Sequence, residues 1–308
     1  MKVLITGGNG FLGKHVIKKL QISAHSFIAP TSKELNLLNI EKTIRFIQYY
    51  KPTSILHMAA LCGGILANKN SPADFLRDNT QMGINIFEAA RMANVEFVHS
   101  LGSICMFPKF CPTPFKEDDL WNGAAEETNF PYGQAKRTLL MLSNTYRSQY
   151  KIKGSFLMPV NLYGPHDHFD DLENSHVIPA LINKFENARA NNLPYVECWG
   201  TGEITREFLY AEDAAIAISH VVSSNFDSNL PINLGTGQQI SIKQLANLIK
   251  KLTGYTGDII FTGEVSNGQP TRQLDVSRAK KLLNWEASTS LEKGLKKSIE
   301  WYRSRKSQ

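Results

Sequence analysis

The stretch Thr6-Gly7-Gly8-Asn9-Gly10-Phe11-Leu12-Gly13 constrains the fold more than any other part of the chain, because of what flanks it. Met1-Lys2-Val3-Leu4-Ile5 reads as a short apolar strand, and Lys14 to Leu20 carries apolar residues at helical spacing. Glycines in such a turn let the backbone approach a pyrophosphate, whose charge rests on the N–H groups that open the helix. They satisfy both G-x-G-x-x-G (Gly8, Gly10, Gly13) and the wider G-x-x-G-x-x-G (Gly7, Gly10, Gly13). A glycine motif alone is also what a tight turn looks like. Strand, turn and helix in this order point to a dinucleotide.

Ser26-Phe27-Ile28-Ala29 is a second strand by the same pattern, and its end indicates which dinucleotide. NAD sites usually place an acid there to hold the ribose 2′-hydroxyl. This chain has Pro30-Thr31-Ser32-Lys33. A hydroxyl beside a cation suits a 2′-phosphate, so NADP(H) is expected, against the plain alternative of a solvated loop lysine.

The 308 residues suffice for one large α/β unit or two modest domains, and 42% apolar with 20% charged residues is ordinary for a globular chain. No apolar run reaches the length of a bilayer span and no signal-peptide pattern precedes the first strand, so a cytoplasmic protein without membrane contact is expected. Cys62, Cys105, Cys111 and Cys198 lack metal-type spacing and are too few for a disulfide framework. The net charge of +6 is spread out apart from pairs such as Lys280-Lys281 and Lys296-Lys297. With no helix-turn-helix, zinc-finger or RNA-binding signature, a nucleic-acid partner is not expected.

Short strand-like runs alternate with helical patterns through the first half. Ser54–Ala60, Glu96–Ser103 and Ser155–Val160 read as strands, Gly83–Ala93 and Tyr132–Tyr150 as helices. This alternation predicts a doubly wound parallel sheet of Rossmann type with helices on both faces. The later part mixes shorter elements, including Pro231–Gly237 and a helix over Ile242–Leu252, without repeat or linker. The expected division is a dinucleotide-binding domain over 1–165, with segments near 207–240 returning to it. A smaller, intertwined α/β substrate domain takes most of 166–308.

Tyr132-Gly133-Gln134-Ala135-Lys136 places a phenol and an ammonium on one helical face, where the cation would pull the phenol's pKa down toward the range useful for proton transfer. Ser103 ends a strand at the sheet edge where open α/β folds bind ligands. Its hydroxyl can bond the carbonyl oxygen that Tyr132 protonates.

With these residues the chain resembles the extended short-chain dehydrogenase/reductase superfamily, in which Ser, Tyr and Lys play those parts. The resemblance narrows through His57-Met58-Ala59-Ala60, Gly63-Gly64-Ile65, Leu101–Pro108, Asn161–Asp167, Ser175–Leu181 and Trp199-Gly200-Thr201-Gly202 running to Leu209. Over nearly the whole chain these blocks are similar to the GDP-L-fucose synthase family. That family epimerises GDP-4-keto-6-deoxy-D-mannose at carbons 3 and 5 and reduces carbon 4 with NADPH.

The resemblance implies further roles. Cys105 is the base and His176 the acid that invert the carbons flanking the ketone. Residue by residue, either could instead be structural: Cys105 a small packed thiol, His176 a polar residue at a helix start. For the cofactor the resemblance implies Gly7, Gly10, Phe11, Leu12, Gly13, Ser32, Lys33, Asn36, Leu37, Ala59, Ala60, Leu101, Tyr132, Lys136, Pro159 and Leu162. For the GDP-sugar it implies Asn161, Lys184, Trp199, Arg206, Asn267 and Arg272, where Arg206 offers a planar fork to a diphosphate. Cys62, Cys111 and Cys198 are read as structural. The chain departs from the family at Asn9 and Ser32, where Arg is usual, and at Lys184, Asn267, Arg272 and Ile104. A C4-reductase of another GDP-4-keto sugar, such as a 6-deoxyheptose, is the alternative, and a non-catalytic NADP-binding protein a remoter one. A homodimer through the helices from Gly83 and Tyr132 is expected by analogy with the superfamily.

Overall fold

The computed structural model describes residues 1–23, 26–170, 175–263 and 269–306. In chain order its strands are β1 (Lys2–Thr6), β2 (Ser26–Ile28), β3 (Ser54–His57), β4 (Phe97–Leu101), β5 (Phe156–Pro159), β6 (Asn161–Tyr163), β7 (Tyr195–Cys198), β8 (Thr205–Tyr210), β9 (Pro231–Leu234), β10 (Gln239–Ser241), β11 (Asp258–Phe261) and β12 (Thr271–Arg272). The helices are α1 (Phe11–Leu20), α2 (Ile40–Tyr50), α3 (Ile65–Asn70), α4 (Pro72–Met92), α5 (Phe130–Tyr150), α6 (Val177–Ala190), α7 (Ala211–Ser223), α8 (Ile242–Thr253), α9 (Ser277–Leu283) and α10 (Leu291–Lys306).

Six strands form one sheet in the order β2-β1-β3-β4-β5-β9, with every neighbouring pair parallel. Every residue of β3 and β4 is buried, as a sheet covered on both faces requires. From β1 the chain crosses first to β2 and then back past β1 to β3. Right-handed connections place α1 and α2 on opposite faces. α7 packs with α1, and α4 and α5 continue the α2 side. The reversal between β1 and β3 leaves a crevice at their carboxyl ends, the place where doubly wound sheets bind ligands.

One helix differs from its sequence reading. The sequence pattern starts this helix at Gly83, whereas α4 begins at Pro72. Asp74, Arg77, Asp78 and Gln81 dilute the apolar pattern of its first half, and a core-facing position is filled by a polar residue. Asn79 is buried; its Oδ1 accepts from the Leu61 N–H at 2.8 Å, and its Nδ2 donates to the carbonyls of Leu61 at 3.0 Å and Phe75 at 2.7 Å. The amide therefore fixes the loop after β3, on which Cys62 sits.

A second core lies in the later half. β8 carries β10, β12 and β6 as neighbours, and β7 pairs with β11. Tyr163, Phe169, Ile182, Phe185, Leu245 and Leu295 fill the space beneath α6, α8 and α10. α8 is fixed at both ends, by a Ser241/Gln244 capping box and by Gly254 at φ +75°. The chain returns to the first core both before and after α8, with Ile218 and Ile232, then Ala279 and Leu283, buried there. Among the described residues no helix is long and apolar enough to cross a membrane.

Candidate active site

The glycine turn lines the crevice between β1 and β3. Gly7 has φ +73°, and a Cβ there would lie 2.6 Å from the Ala59 nitrogen, so the turn sits directly on the loop leaving β3. A Cβ on Gly13 would lie 2.2 Å from the Gly7 carbonyl oxygen, which holds the start of α1 against the turn. Gly10 is the N-cap of α1 and no side chain caps that end. Its opening N–H groups thus remain for an anion. Gly8 is constrained too, since a Cβ there would stand 2.7 Å from that of Ala29, so the turn accommodates both glycine patterns. Phe11 and Leu12 are half-buried in the first turn, and Ala59 and Ala60 line the opposite edge. Thr6 Oγ1 joins the strand ends, meeting His57 Nδ1 at 2.8 Å and accepting from the Ala59 N–H at 3.3 Å. Burial, reinforced by the Lys136 charge, pushes the His57 imidazole down to about 3 and keeps it neutral.

Ser32, Lys33 and Asn36 are exposed beyond β2, and Leu37 is buried beside them. The nearby acid, Glu34, closes its own turn: its Oε2 accepts from the Thr31 N–H at 2.7 Å and hydroxyl at 2.8 Å, bonds that lower its pKa. Pro159 is buried at the end of β5 and Leu162 half-buried in β6.

The strand-end serine and the Tyr-x-x-x-Lys helix are clamped together. Ser103 Oγ accepts from the Cys105 N–H at 3.2 Å, closing the turn Ile104–Met106. A Cβ on Gly133 would stand 2.3 Å from the Cys105 carbonyl oxygen, so α5 rests on that turn. Arg137 fastens it further, donating from Nε to the Met106 carbonyl at 2.7 Å and from Nη1 to Gly123 at 2.9 Å. The residue before it on α5, Lys136, is 3% exposed and its Nζ donates to the Leu101 carbonyl at 2.9 Å. Burial lowers this lysine to about 8, against a raising effect from Cys62.

Tyr132 departs from the sequence expectation. Lys136 Nζ lies 5.8 Å from the centroid of its ring, turned to Leu101, and the phenol is raised well above its ordinary value rather than lowered. Burial is the main cause, followed by the charge and hydrogen bond of Cys62 and the charge of Cys105. Cys62, read from sequence as structural, donates from Sγ to the Tyr132 hydroxyl at 3.5 Å. It is an exposed residue whose thiol nonetheless sits among enough protein to be raised by desolvation, against the lowering effects of the Tyr132 bond and the Lys136 cation. Phe75 packs edge-on against the tyrosine ring at 6.2 Å.

Ser103, Cys105, Tyr132 and Lys136 therefore share one corner, and Arg206 adjoins it. Its Nη1 donates to the carbonyls of Thr205 at 2.7 Å and Gln269 at 2.9 Å. Burial and the Arg272 charge lower it to about 10, while Glu126 and Cys105 favour the cation. Arg272 is buried, with Nε on Gln269 Oε1 at 2.7 Å and Nη2 3.5 Å from Glu126. Lys184 and Trp199 form a separate, outer pair: Nζ donates to the Glu197 carbonyl at 2.9 Å and stands 5.2 Å from the Trp199 ring, which is 64% exposed. Asn161 spends its amide on the Glu207 carbonyl at 2.9 Å, tying β6 to β8. His176 is the N-cap of α6 and faces Asp167. Asn267 lies outside the described residues. Sequence spacing gave no sign of Cys62 or Asp167, since the first reaches Tyr132 only through the fold and the second lies on a loop with no periodicity.

A glycine-cradled crevice in a parallel sheet, next to a serine, tyrosine and lysine on adjoining elements, defines a Rossmann-type dinucleotide-dependent enzyme of the short-chain dehydrogenase/reductase kind. The chain belongs to the NAD dependent epimerase/dehydratase family, which it matches over residues 3–235. It is 37% identical over 305 residues to GDP-L-colitose synthase of Yersinia pseudotuberculosis, covering 98% of each chain. To GDP-L-fucose synthase of Escherichia coli (strain K12) it is 37% identical over 310 residues, 98% of this chain and 96% of that one. Among solved structures, GDP-mannoheptose C4 reductase from Campylobacter jejuni with NADP bound superposes with a TM-score of 0.88 at 29% identity, covering 98% of each chain.

Proposed function

We propose that the protein is an NADPH-dependent epimerase/reductase that converts GDP-4-keto-6-deoxy-D-mannose to GDP-L-fucose. The observation that carries this reading is one corner holding both a reductase set (Ser103, Tyr132, Lys136) and a thiol, Cys105, in the turn that Ser103 closes. The cradle of Gly7, Gly10 and Gly13 fits a dinucleotide pyrophosphate, and Ser32 and Lys33 suit a 2′-phosphate. When bound, the cofactor supplies the hydride for carbon 4. The remaining work belongs to this chain. Tyr132 Oη gives its proton to the carbonyl oxygen at carbon 4, a task for which the raised pKa keeps it protonated. Ser103 Oγ bonds the same oxygen and, with Tyr132, stabilises the enolate that develops when a neighbouring carbon loses its proton. Cys105 Sγ removes the protons at carbons 3 and 5, and His176 returns them on the opposite face. Arg206 and Arg272 bind the diphosphate side, with Asn161 close by, and Lys184 and Trp199 hold the outer end of the nucleotide.

The division of labour follows the cores: 1–165 with returning segments for the dinucleotide, most of 166–308 for the GDP-sugar. The apolar residues exposed on α4 and α5, Leu76, Ile84, Met92 and Met141, suit pairing of two copies through these helices. Light scattering that gives a monomer at micromolar concentration contradicts that homodimer. A cytoplasmic setting agrees with four free thiols and with NADPH as reductant.

The experiment mixes the protein with NADPH and GDP-4-keto-6-deoxy-D-mannose and follows nicotinamide absorbance and product. Oxidation of NADPH with formation of GDP-L-fucose is expected, with higher kcat/KM for NADPH than for NADH. Absence of turnover, or an NADH preference, overturns the corresponding part. A second reading, C4 reduction of another GDP-4-keto sugar such as a 6-deoxyheptose, is favoured by two facts. The colitose and fucose synthases are equally similar at 37%, and a heptose reductase matches the whole fold. Competition between the two sugars for one enzyme sample discriminates.

A further inference from the structure

Asp167 takes no part in the reaction described above, yet its side chain is 1% exposed and its Oδ1 stands 4.0 Å from His176 Nδ1. Burying a carboxylate without a charged partner is costly, and such groups are kept where something uses them. Oδ1 accepts from the His168 N–H at 2.8 Å. Among the described residues Asp167 Oδ2 and His176 Nδ1 are both buried and have no hydrogen-bond partner. The unpartnered Nδ1 thus faces a carboxylate that has one oxygen still without a partner. His176 does not cap its own helix, although it occupies the N-cap position of α6. Its side chain as a whole is 42% exposed, so the ring turns one nitrogen inward to Asp167 and its other edge outward.

We infer that Asp167 and His176 form a carboxylate–imidazole dyad, in which Asp167 is a positioning residue that fixes the tautomer and the orientation of the His176 ring. An inward Nδ1–H leaves Nε2 as the atom that can exchange a proton with a ligand. The loop is built to keep the carboxylate in place. Phe169 is buried against Trp301 and Tyr302, the Asn183 amide donates to the Phe169 carbonyl at 2.6 Å, and Ser175 donates its hydroxyl to the His168 carbonyl. Of the other titratable groups around this corner, Asp170 is paired with Arg305 at 2.5 Å and His168 is exposed, while the Cys62 thiol is close enough for the Asp167 charge to raise it. Asp167 is the acid that faces His176.

The consequence for catalysis rests on the reading of His176 as the acid in epimerisation, and the test keeps the two apart. Protein labelled with ¹⁵N and ¹³C in histidine is titrated by NMR, with the His176 signals assigned by their loss in His176→Gln. In the wild type the neutral ring carries its proton on Nδ1. In Asp167→Asn, which keeps the size and the acceptor for the His168 N–H, that preference is lost and the neutral ring shifts toward the Nε2–H tautomer. An Nε2–H tautomer in the wild type, or the same tautomer in both proteins, overturns the dyad whatever the enzyme catalyses. The second arm measures deuterium exchange at carbons 3 and 5 of the substrate against pH. If His176 is the acid, exchange at both carbons slows by about tenfold or more in Asp167→Asn, across the pH range. A dyad seen by NMR with an unmoved exchange profile leaves the dyad standing and removes His176 from the proton transfer.

Discussion

The two regions proposed to hold the GDP-sugar, an inner and an outer wall, are built differently. On the wall formed by β4 and α5, Lys136 and Tyr132 are at most 8% exposed, and the turn carrying Ser103 and Cys105 is gripped by Gly133 and Arg137. On the outer wall Trp199 is 64% exposed and touches Lys184 only as a ring beneath a cation. Groups that move protons need fixed geometry and a dry setting, where their charges count most. Groups that hold a nucleotide need only reach it. Substitutions on the inner wall should therefore change kcat, and those on the outer wall KM.

The strongest way to break this contrast is Tyr132→Phe, which removes one oxygen from the inner wall and nothing else. Turnover should fall by about a hundred- to ten-thousand-fold, with NADPH affinity nearly intact. A variant that keeps most of its turnover takes the proton from elsewhere.

Gly13→Ala probes the floor on which both walls stand. Its Cβ would stand 2.2 Å from a backbone oxygen, and crowding of this kind costs about 1–3 kcal/mol. NADPH affinity, read by fluorescence titration, should drop about tenfold or more. An unchanged Kd means the turn can give way, and the cradle is looser than the geometry describes.

Lys136 sharpens the contrast through pH. Its folded value of about 8 lies below the ordinary 10.5, so the ammonium form is lost as the pH climbs past about 8. Reduction should slow by about tenfold per unit beyond that point if the charge is needed. Between those two values the unfolded chain binds the extra proton, so this group makes the fold more stable as pH rises. A rate that falls while the melting temperature does not is the expected signature. A flat rate profile from pH 7 to above 9 contradicts it.

The smallest effect belongs to the outer wall. Trp199→Ala should raise KM for the GDP-sugar about two- to five-fold, the worth of an exposed cation–aromatic contact, and leave kcat alone. A large loss of kcat would place Trp199 among the reacting groups.

The same contrast explains what could be read in the sequence. The order strand, glycine turn, helix is local, so the cradle of Gly7, Gly10 and Gly13 and the parallel sheet around it follow from spacing. Tyr132 and Lys136 share a face because they are four apart on a helix. The partners that tune them are not local. Cys62 reaches Tyr132 from the loop after β3, held there by Asn79, a polar residue at a core position that also hid the first half of α4. The expected lowering of Tyr132 by Lys136 failed because burial raises the phenol and the ammonium is turned to Leu101, neither of which a one-dimensional pattern encodes. Arg272 belongs to a buried pair with Glu126, a relation that only the folded chain reveals.

The central claim is that one corner performs both proton exchange and reduction, and solvent deuterium tests it most directly. Turnover of GDP-4-keto-6-deoxy-D-mannose in D₂O with NADPH should place deuterium at carbons 3 and 5 of GDP-L-fucose. Cys105→Ser should strongly reduce that incorporation and release a GDP-6-deoxyhexose with the starting configuration, read by NMR. A wild-type product without deuterium at either carbon contradicts the account: the protein is then a reductase alone, and Cys105 is a packed thiol.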